Sequence, residues 1–362
     1  MAMGLASLIF ELIYRAPALH PGDLQTFLAA AHRLVEGGTL YQRAFVSPPE
    51  LAVLLLPLTV VPFPLAYGVF LVASGSVLIW GTTRYAADLH LRRWLATLAV
   101  VLSPQGWWGL MIGQPDALLV GLILLEVVAV RRQRWILAGV IAPWLLLKPD
   151  VTWPVIPVLL AAVWRDRQAR IQLGKGLAPS LGAFLLLAGW LLPSWGLRLV
   201  RFGGHSAFQP LLSGLPDLLG GQLVGVAPHQ ILESPVTWIV AAAGVMAMGA
   251  TFVVTRRLTA STPELAEWML LVPLAIWVAT SPYIHAEDTL FAVPLALRLV
   301  ASPKRWHRLP ILVILLPWVA FPTWGALAAI GSLGVAMAGV SWMLQAAGTA
   351  GGQGAMTPSD AT

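Results

Sequence analysis

Residues 51–80 read LAVLLLPLTVVPFPLAYGVFLVASGSVLIW and carry no charged side chain. A helix crossing a bilayer core of about 30 Å needs about 20 residues, so this stretch is long enough to span with residues to spare. Pro57, Pro62 and Pro64 are where it is expected to bend, because proline removes a main-chain hydrogen bond and crowds the preceding turn. The rest of the chain follows the same pattern. Of its 362 residues, 58% are hydrophobic and 10% charged, and the mean hydropathy is +0.79. A soluble chain would carry roughly 25% charged residues. This composition excludes a soluble globular enzyme and a disordered protein. It predicts an all-α, polytopic transmembrane helix bundle.

Polar breaks divide the chain into apolar stretches at about 2–19, 51–80, 94–112, 117–130, 135–147, 151–164, 177–197, 236–255, 264–280, 289–301, 309–324 and 325–345. Together they predict on the order of ten to twelve crossings. Residues 1–347 read as one domain, and the small, polar tail 348–362 as disordered. Cysteine is absent, which excludes disulfides, thiolate zinc sites and cysteine nucleophiles. The formal net charge is +6. In a membrane protein such an excess marks cytoplasmic loops, not nucleic-acid binding. If the loops are numbered alternately from the inside, 16 of the 22 Lys and Arg residues fall inside. Acids do the reverse: 9 of 16, together with 5 of 7 histidines, fall outside. The bland reading is solvated loops; the sharper one places the titratable chemistry on the extracytoplasmic face. Trp80, Trp94, Trp107, Trp108, Trp135, Trp164, Trp195, Trp238, Trp268, Trp306 and Trp324 stand near predicted span ends, where an interfacial belt accounts for them.

The first outside loop holds Asp23, an amphipathic run predicted to be a membrane-lying helix over 24–36, the stop Gly37-Gly38, Tyr41, and Ser47-Pro48-Pro49. Asp23 also fits as a plain helix N-cap. This loop, Asp23 with Phe27, Ala29-Ala30-Ala31, Gly37-Gly38, Tyr41 and Ser47-Pro48-Pro49 ahead of a Leu-rich span, resembles the first periplasmic loop of glycosyltransferase family 87. Three later stretches agree in order and spacing: Gly113-Gln114-Pro115-Asp116; Ala138-Gly139 followed by Leu147-Lys148-Pro149; and Ser281-Pro282-Tyr283-Ile284-His285. The resemblance covers about residues 20–165 and, more weakly, 275–300.

The resemblance implies a type C glycosyltransferase fold and a polyprenyl-phosphate donor of a mannose-like sugar. It also implies inversion at the anomeric carbon and a pocket facing the extracytoplasmic side of the cell membrane. An inverting displacement needs one carboxylate to take the acceptor's proton, and a phosphate leaving group departs without a strong acid if cations neutralise it. Asp23 is then the candidate base. Lys148, Arg43 and His285 are candidate phosphate partners, and Tyr41, Gln114, Asp116, Glu287 and Asp288 candidate substrate ligands. Each has a plainer alternative. Lys148 can snorkel to headgroups or pair with Asp150. His285 can be a satisfied interfacial histidine, Gln114 and Asp116 turn and cap residues, and Glu287 and Asp288 a solvated acidic loop. No Asp-x-Asp pair is present, so chemistry without a metal or other cofactor is expected. The expected partners are the lipid-linked donor, a glycolipid or glycan acceptor, and membrane lipid. The competing classes are a transporter or flippase and a scaffold subunit. Against the transporter, ionisable residues inside spans are few, Glu126 and Glu11, and no repeated half is visible.

Overall fold

The structure, a computed structural model, describes residues 22–41, 45, 47–202, 215–216, 219, 234–257, 263–282, 284–285, 287–301 and 330–343. The expected spans 2–19 and 309–324, the tail 348–362 and Arg43 lie outside the described residues. All regular elements among the described residues are helical. Helix α1 (Gly22–Val35) is followed by α2 (Pro49–Leu55) and a 3-10 turn (Leu56–Val60), then α3 (Phe63–Asp88), α4 (Arg93–Val101), α5 (Pro104–Ile112) and α6 (Asp116–Arg131). Next come α7 (Trp135–Ile141), a 3-10 segment (Ala142–Leu147), α8 (Pro149–Thr152), α9 (Val155–Ala162), α10 (Arg167–Ala188) and α11 (Leu192–Phe202). Then follow α12 (Pro235–Arg257), α13 (Pro263–Thr280), a 3-10 segment (Glu287–Ala292) and α14 (Val293–Val300). The last described helix, α15, runs Ile330–Met343.

Among the described residues three helices are long and apolar enough to cross a membrane: Phe63–Asp88, Arg167–Leu197 and Pro235–Val253. They leave large apolar side chains such as Val72, Leu186, Trp190, Ile239 and Met246 exposed, which water does not tolerate in contiguous bands but lipid does. The remaining stretches of the ten to twelve expected crossings are shorter or broken, and proline is the main cause. The 51–80 stretch bends at Pro57 and Pro62 into α2, a 3-10 turn and α3. The 94–112 stretch is not one rod. Its two helices, α4 and α5, meet at an angle of 56° at Ser103-Pro104. There the Ser103 hydroxyl caps α5 by accepting the Gly106 N–H at 3.1 Å. The basic loop expected at 165–175 is instead the first half of α10, capped by Asp166 accepting the Ala169 N–H at 3.0 Å.

Helix α3 packs along α6 at a glycine crossing. A Cβ on Gly81 would stand 2.4 Å from the Gly121 carbonyl oxygen, and one on Gly121 would meet Val77 at 2.6 Å. The bare backbones touch here, as small residues allow in lipid. A second glycine crossing, Gly139 against Gly176, joins α7 to α10. One contiguous cluster of buried side chains extends from Leu24 to Met343.

The two ends of α6 differ in chemistry. At its C-terminal end Arg131 bonds to Glu267, which is fully buried, also accepts the Tyr85 hydroxyl and lies 3.5 Å from Arg298. Arg132 pairs with Asp88 at 2.6 Å. Trp268, expected in an interfacial belt, is fully buried. It stacks on Trp342 at 4.1 Å beneath the Arg298 guanidinium, so here the indole serves cation–π packing rather than the interface. The N-terminal end of α6, about 22 Å away at 1.5 Å per residue, carries the acids.

Candidate active site

Four separate segments meet at that acidic end, and local sequence explains each. Helix α5 stops at Gly113, whose φ of +79° is left-handed. The Gln114 N–H returns to the Gly109 carbonyl at 2.9 Å, a glycine-terminated helix end. Any Cβ at Gly113 would stand 2.4 Å from the Leu24 Cβ, so only glycine lets this turn lie against the start of α1. The approach carries Gln114 to Asp23, and its Nε2 donates to Asp23 Oδ2 at 2.7 Å. Pro115 then ends the turn, and Asp116 opens α6, where the helix dipole favours a negative charge.

Lys148 stands between the 3-10 segment and α8, extended at φ −137° and ψ 71°, because Pro149 disfavours helical backbone before it. The Lys148 ammonium reaches Asp116 Oδ1 at 2.8 Å and also bonds to Asp288. Asp288 is fixed in turn by the main-chain N–H of His285, which donates to its Oδ2 at 2.7 Å. Lys148 therefore pairs with Asp116 and Asp288 rather than with Asp150 or with headgroups. The Asp150 carbonyl accepts from the Trp277 indole at 2.6 Å. Gly109 lets Glu287 pack close, since a Cβ there would stand 3.7 Å from the Glu287 Cβ and 3.9 Å from that of Asp116.

The electrostatics follow from burial among like charges. Burial raises the Asp23 carboxyl above the usual range; the Gln114 hydrogen bond and Lys148 act downward, and Asp288 upward. Asp23 thus feels the Lys148–Asp288 pair without touching it. Burial also pushes Glu287 well up, reinforced by Asp288. The His285 imidazole is pushed down to about 4 by burial, against the pull of Asp288, so it is neutral at pH 7 and acts as a hydrogen-bonding group rather than a cation. The second oxygen of Asp116, Oδ2, is buried and without a partner, an acceptor free to take a hydroxyl. Among the described residues no three His, Asp or Glu side chains converge to hold a metal.

The structure thus brings together Asp23, Gln114, Asp116, Lys148, His285, Glu287 and Asp288 from segments up to 265 positions apart. Tyr41 stands elsewhere, its ring against Phe45 at 5.8 Å. Sequence reasoning did not single out Gly109 as a packing residue, nor Glu50 beyond its place in an outside loop. Glycine spacing alone carries no such signal.

A cavity of about 800 Å³ opens between α12, α13 and α15, walled by Ile239, Ala243, Ile276, Ala279, Met337 and Val340. None of the clustered acids lines it, but Thr280, at the end of α13, does. From there the chain passes through Ser281 to His285 and Asp288.

No curated protein and no solved structure matches the chain. The sequence profile of glycosyltransferase family 87 matches residues 45–282, which include Gln114, Asp116 and Lys148 and leave Asp23 and Asp288 outside. That match spans more than half of the chain, and the protein belongs to glycosyltransferase family 87.

Proposed function

We propose that this membrane glycosyltransferase moves a mannose-like sugar from a polyprenyl-phosphate donor to a hydroxyl of a glycolipid or glycan acceptor, on the extracytoplasmic side of the plasma membrane. The observation that carries the reading is the convergence of Asp23, Gln114, Asp116, Lys148 and Asp288 at one end of α6. Asp23 takes the proton of the acceptor hydroxyl as its oxygen attacks the anomeric carbon. The bond from that carbon to the phosphate oxygen breaks, polyprenyl phosphate leaves with the electron pair, and the configuration inverts. Gln114 aims Asp23 and favours its charged form. Asp116, through its unpartnered oxygen, accepts a sugar hydroxyl, with Glu287 and Asp288 beside it. Lys148 first holds Asp116 and Asp288 in place. Its charge is shared with both, so the donor phosphate meets it in exchange for one carboxylate, with the neutral His285 as a hydrogen-bond partner. The apolar cavity beside α13 has the lining a prenyl chain needs. The domain is the whole bundle, of type C glycosyltransferase form, with α1 lying on the membrane. The concentration of basic residues at the far end of α6 supports an outward-facing site.

A transporter reading has one observation in its favour. Glu126, in the middle of α6, is fully buried and neither of its oxygens has a partner, as in proton-coupled carriers. One experiment separates the two. Purified protein in vesicles receives polyprenyl-phosphate radiolabelled mannose on one side and a glycolipid acceptor. The proposal predicts labelled glycolipid of inverted configuration and one polyprenyl phosphate released per sugar. Movement of intact donor across the bilayer without phosphate release contradicts it.

A further inference from the structure

Apart from the acid cluster, a second pair of buried polar groups lacks partners. Glu50 opens α2 at 0% exposure, and neither of its carboxylate oxygens meets a donor. The phenol oxygen of Tyr41 is also buried and without a hydrogen bond, although the residue itself is only half-buried. The two sense each other: burial raises the Tyr41 phenol, and the Glu50 carboxylate raises it further. Burial raises Glu50 as well, with only its own main-chain amide acting the other way.

Buried polar groups are almost always satisfied, and a carboxylate held from water without donors is costly. Something with several hydroxyl donors, one of which also accepts from a phenol, completes this pair. A metal ion would serve the carboxylate but leave the Tyr41 O–H without an acceptor. The surroundings are aromatic. The Tyr41 ring lies 5.8 Å from Phe45, Phe45 lies 6.2 Å from Phe27 edge to face, and Phe27 sits one turn beyond Asp23 on α1. A file of rings therefore joins the candidate base to Glu50. Aromatic faces beside a carboxylate and a phenol suit a sugar: its C–H face packs on rings, while its vicinal hydroxyls donate to the acid and accept from tyrosine.

We infer that Glu50 and Tyr41 form a second sugar subsite, which holds a glycosyl unit of the acceptor beyond the hydroxyl that reacts. The inference rests on the glycan-acceptor reading above and narrows it, since an acceptor without a second sugar would not use these residues.

The test is binding, which needs no donor. Protein in lipid nanodiscs is titrated with methyl α-mannopyranoside, methyl β-glucopyranoside and methyl α-arabinofuranoside, followed by saturation-transfer NMR. At least one glycoside binds saturably to the wild type and to Asp23→Asn. Glu50→Gln and Tyr41→Phe, which preserve shape and ring, each weaken that binding by at least roughly tenfold. Either variant suffices if the other does not fold. No saturable binding of any of the three to wild type, or equal binding by both variants, overturns the subsite. Binding that depends on Glu50 in a protein that fails to use a polyprenyl-phosphate donor upholds the subsite and counts against the donor assignment instead.

Discussion

Gln114 Nε2 donates to Asp23 Oδ2 at 2.7 Å, across 91 positions of sequence. The contact ties the start of α1 to the end of α5 and places a neutral amide on a carboxylate whose burial raises its proton affinity. A hydrogen bond to the charged form favours that form, so Gln114 keeps Asp23 available as a base.

Removing the amide has a signed consequence. In Gln114→Leu the downward pull on Asp23 disappears and its carboxyl rises further. A base works only when unprotonated, so activity falls as pH falls through its pKa. The acidic limb of the kcat/KM profile therefore moves to higher pH, and the rate at neutral pH drops by roughly tenfold or more. Superimposable profiles for variant and wild type remove Gln114 from this role.

Lys148→Met leaves Asp116 and Asp288, both fully buried, facing each other without a cation. Removing one partner of a buried ion pair costs about 3–5 kcal/mol, so the variant unfolds at a markedly lower denaturant concentration or temperature. Adding Asp116→Asn and Asp288→Asn to it restores most of the loss. A Lys148→Met protein as stable as wild type means that the lysine is solvated and not paired.

Gly81→Ala tests the α3–α6 crossing. The added methyl meets the Gly121 carbonyl oxygen at 2.4 Å, and main chain cannot swing aside as a side chain can. Overpacking of this kind costs about 1–3 kcal/mol. Gly174→Ala is the control, because nothing stands within 4 Å of a Cβ there; on an exposed helix face it is neutral or gains about 0.5–1 kcal/mol. Thermal unfolding in detergent compares the two, and equal midpoints contradict the close crossing.

Glu267→Gln separates stability from chemistry. It leaves Arg131 and Arg298 without their shared carboxylate and destabilises by about 3–5 kcal/mol. The cluster sits about 22 Å along α6 from Asp116, so the acidic limb of the activity profile stays where it was. A shifted limb shows that the two ends of the helix are coupled.

Much of the site's composition was legible because the same residues that end helices also carry the charge. Gly113 and Pro115 bracket Gln114, Pro149 follows Lys148, and Pro48-Pro49 precedes Glu50. In so apolar a chain a polar residue beside such punctuation stands out. Partners were less legible. Lys148 is two residues from Asp150, yet its ammonium meets Asp116 and Asp288, since side-chain direction over such separations is set by how helices cross and not by local pattern. The break between α4 and α5 escaped a hydropathy reading because Pro104 interrupts an apolar run without adding charge. Trp268 escaped too, because an indole beside a span end looks alike whether it faces headgroups or stacks beneath an arginine.

The most direct test of the account is the transfer rate of purified Asp23→Asn. Asparagine caps a helix about as well as aspartate and still accepts from Gln114 through its carbonyl oxygen, so the fold survives. It cannot take the acceptor's proton, so kcat falls by roughly 10²–10⁴-fold while donor binding stays near wild type. Transfer at the wild-type rate by the folded variant contradicts the account and leaves Asp23 a helix cap.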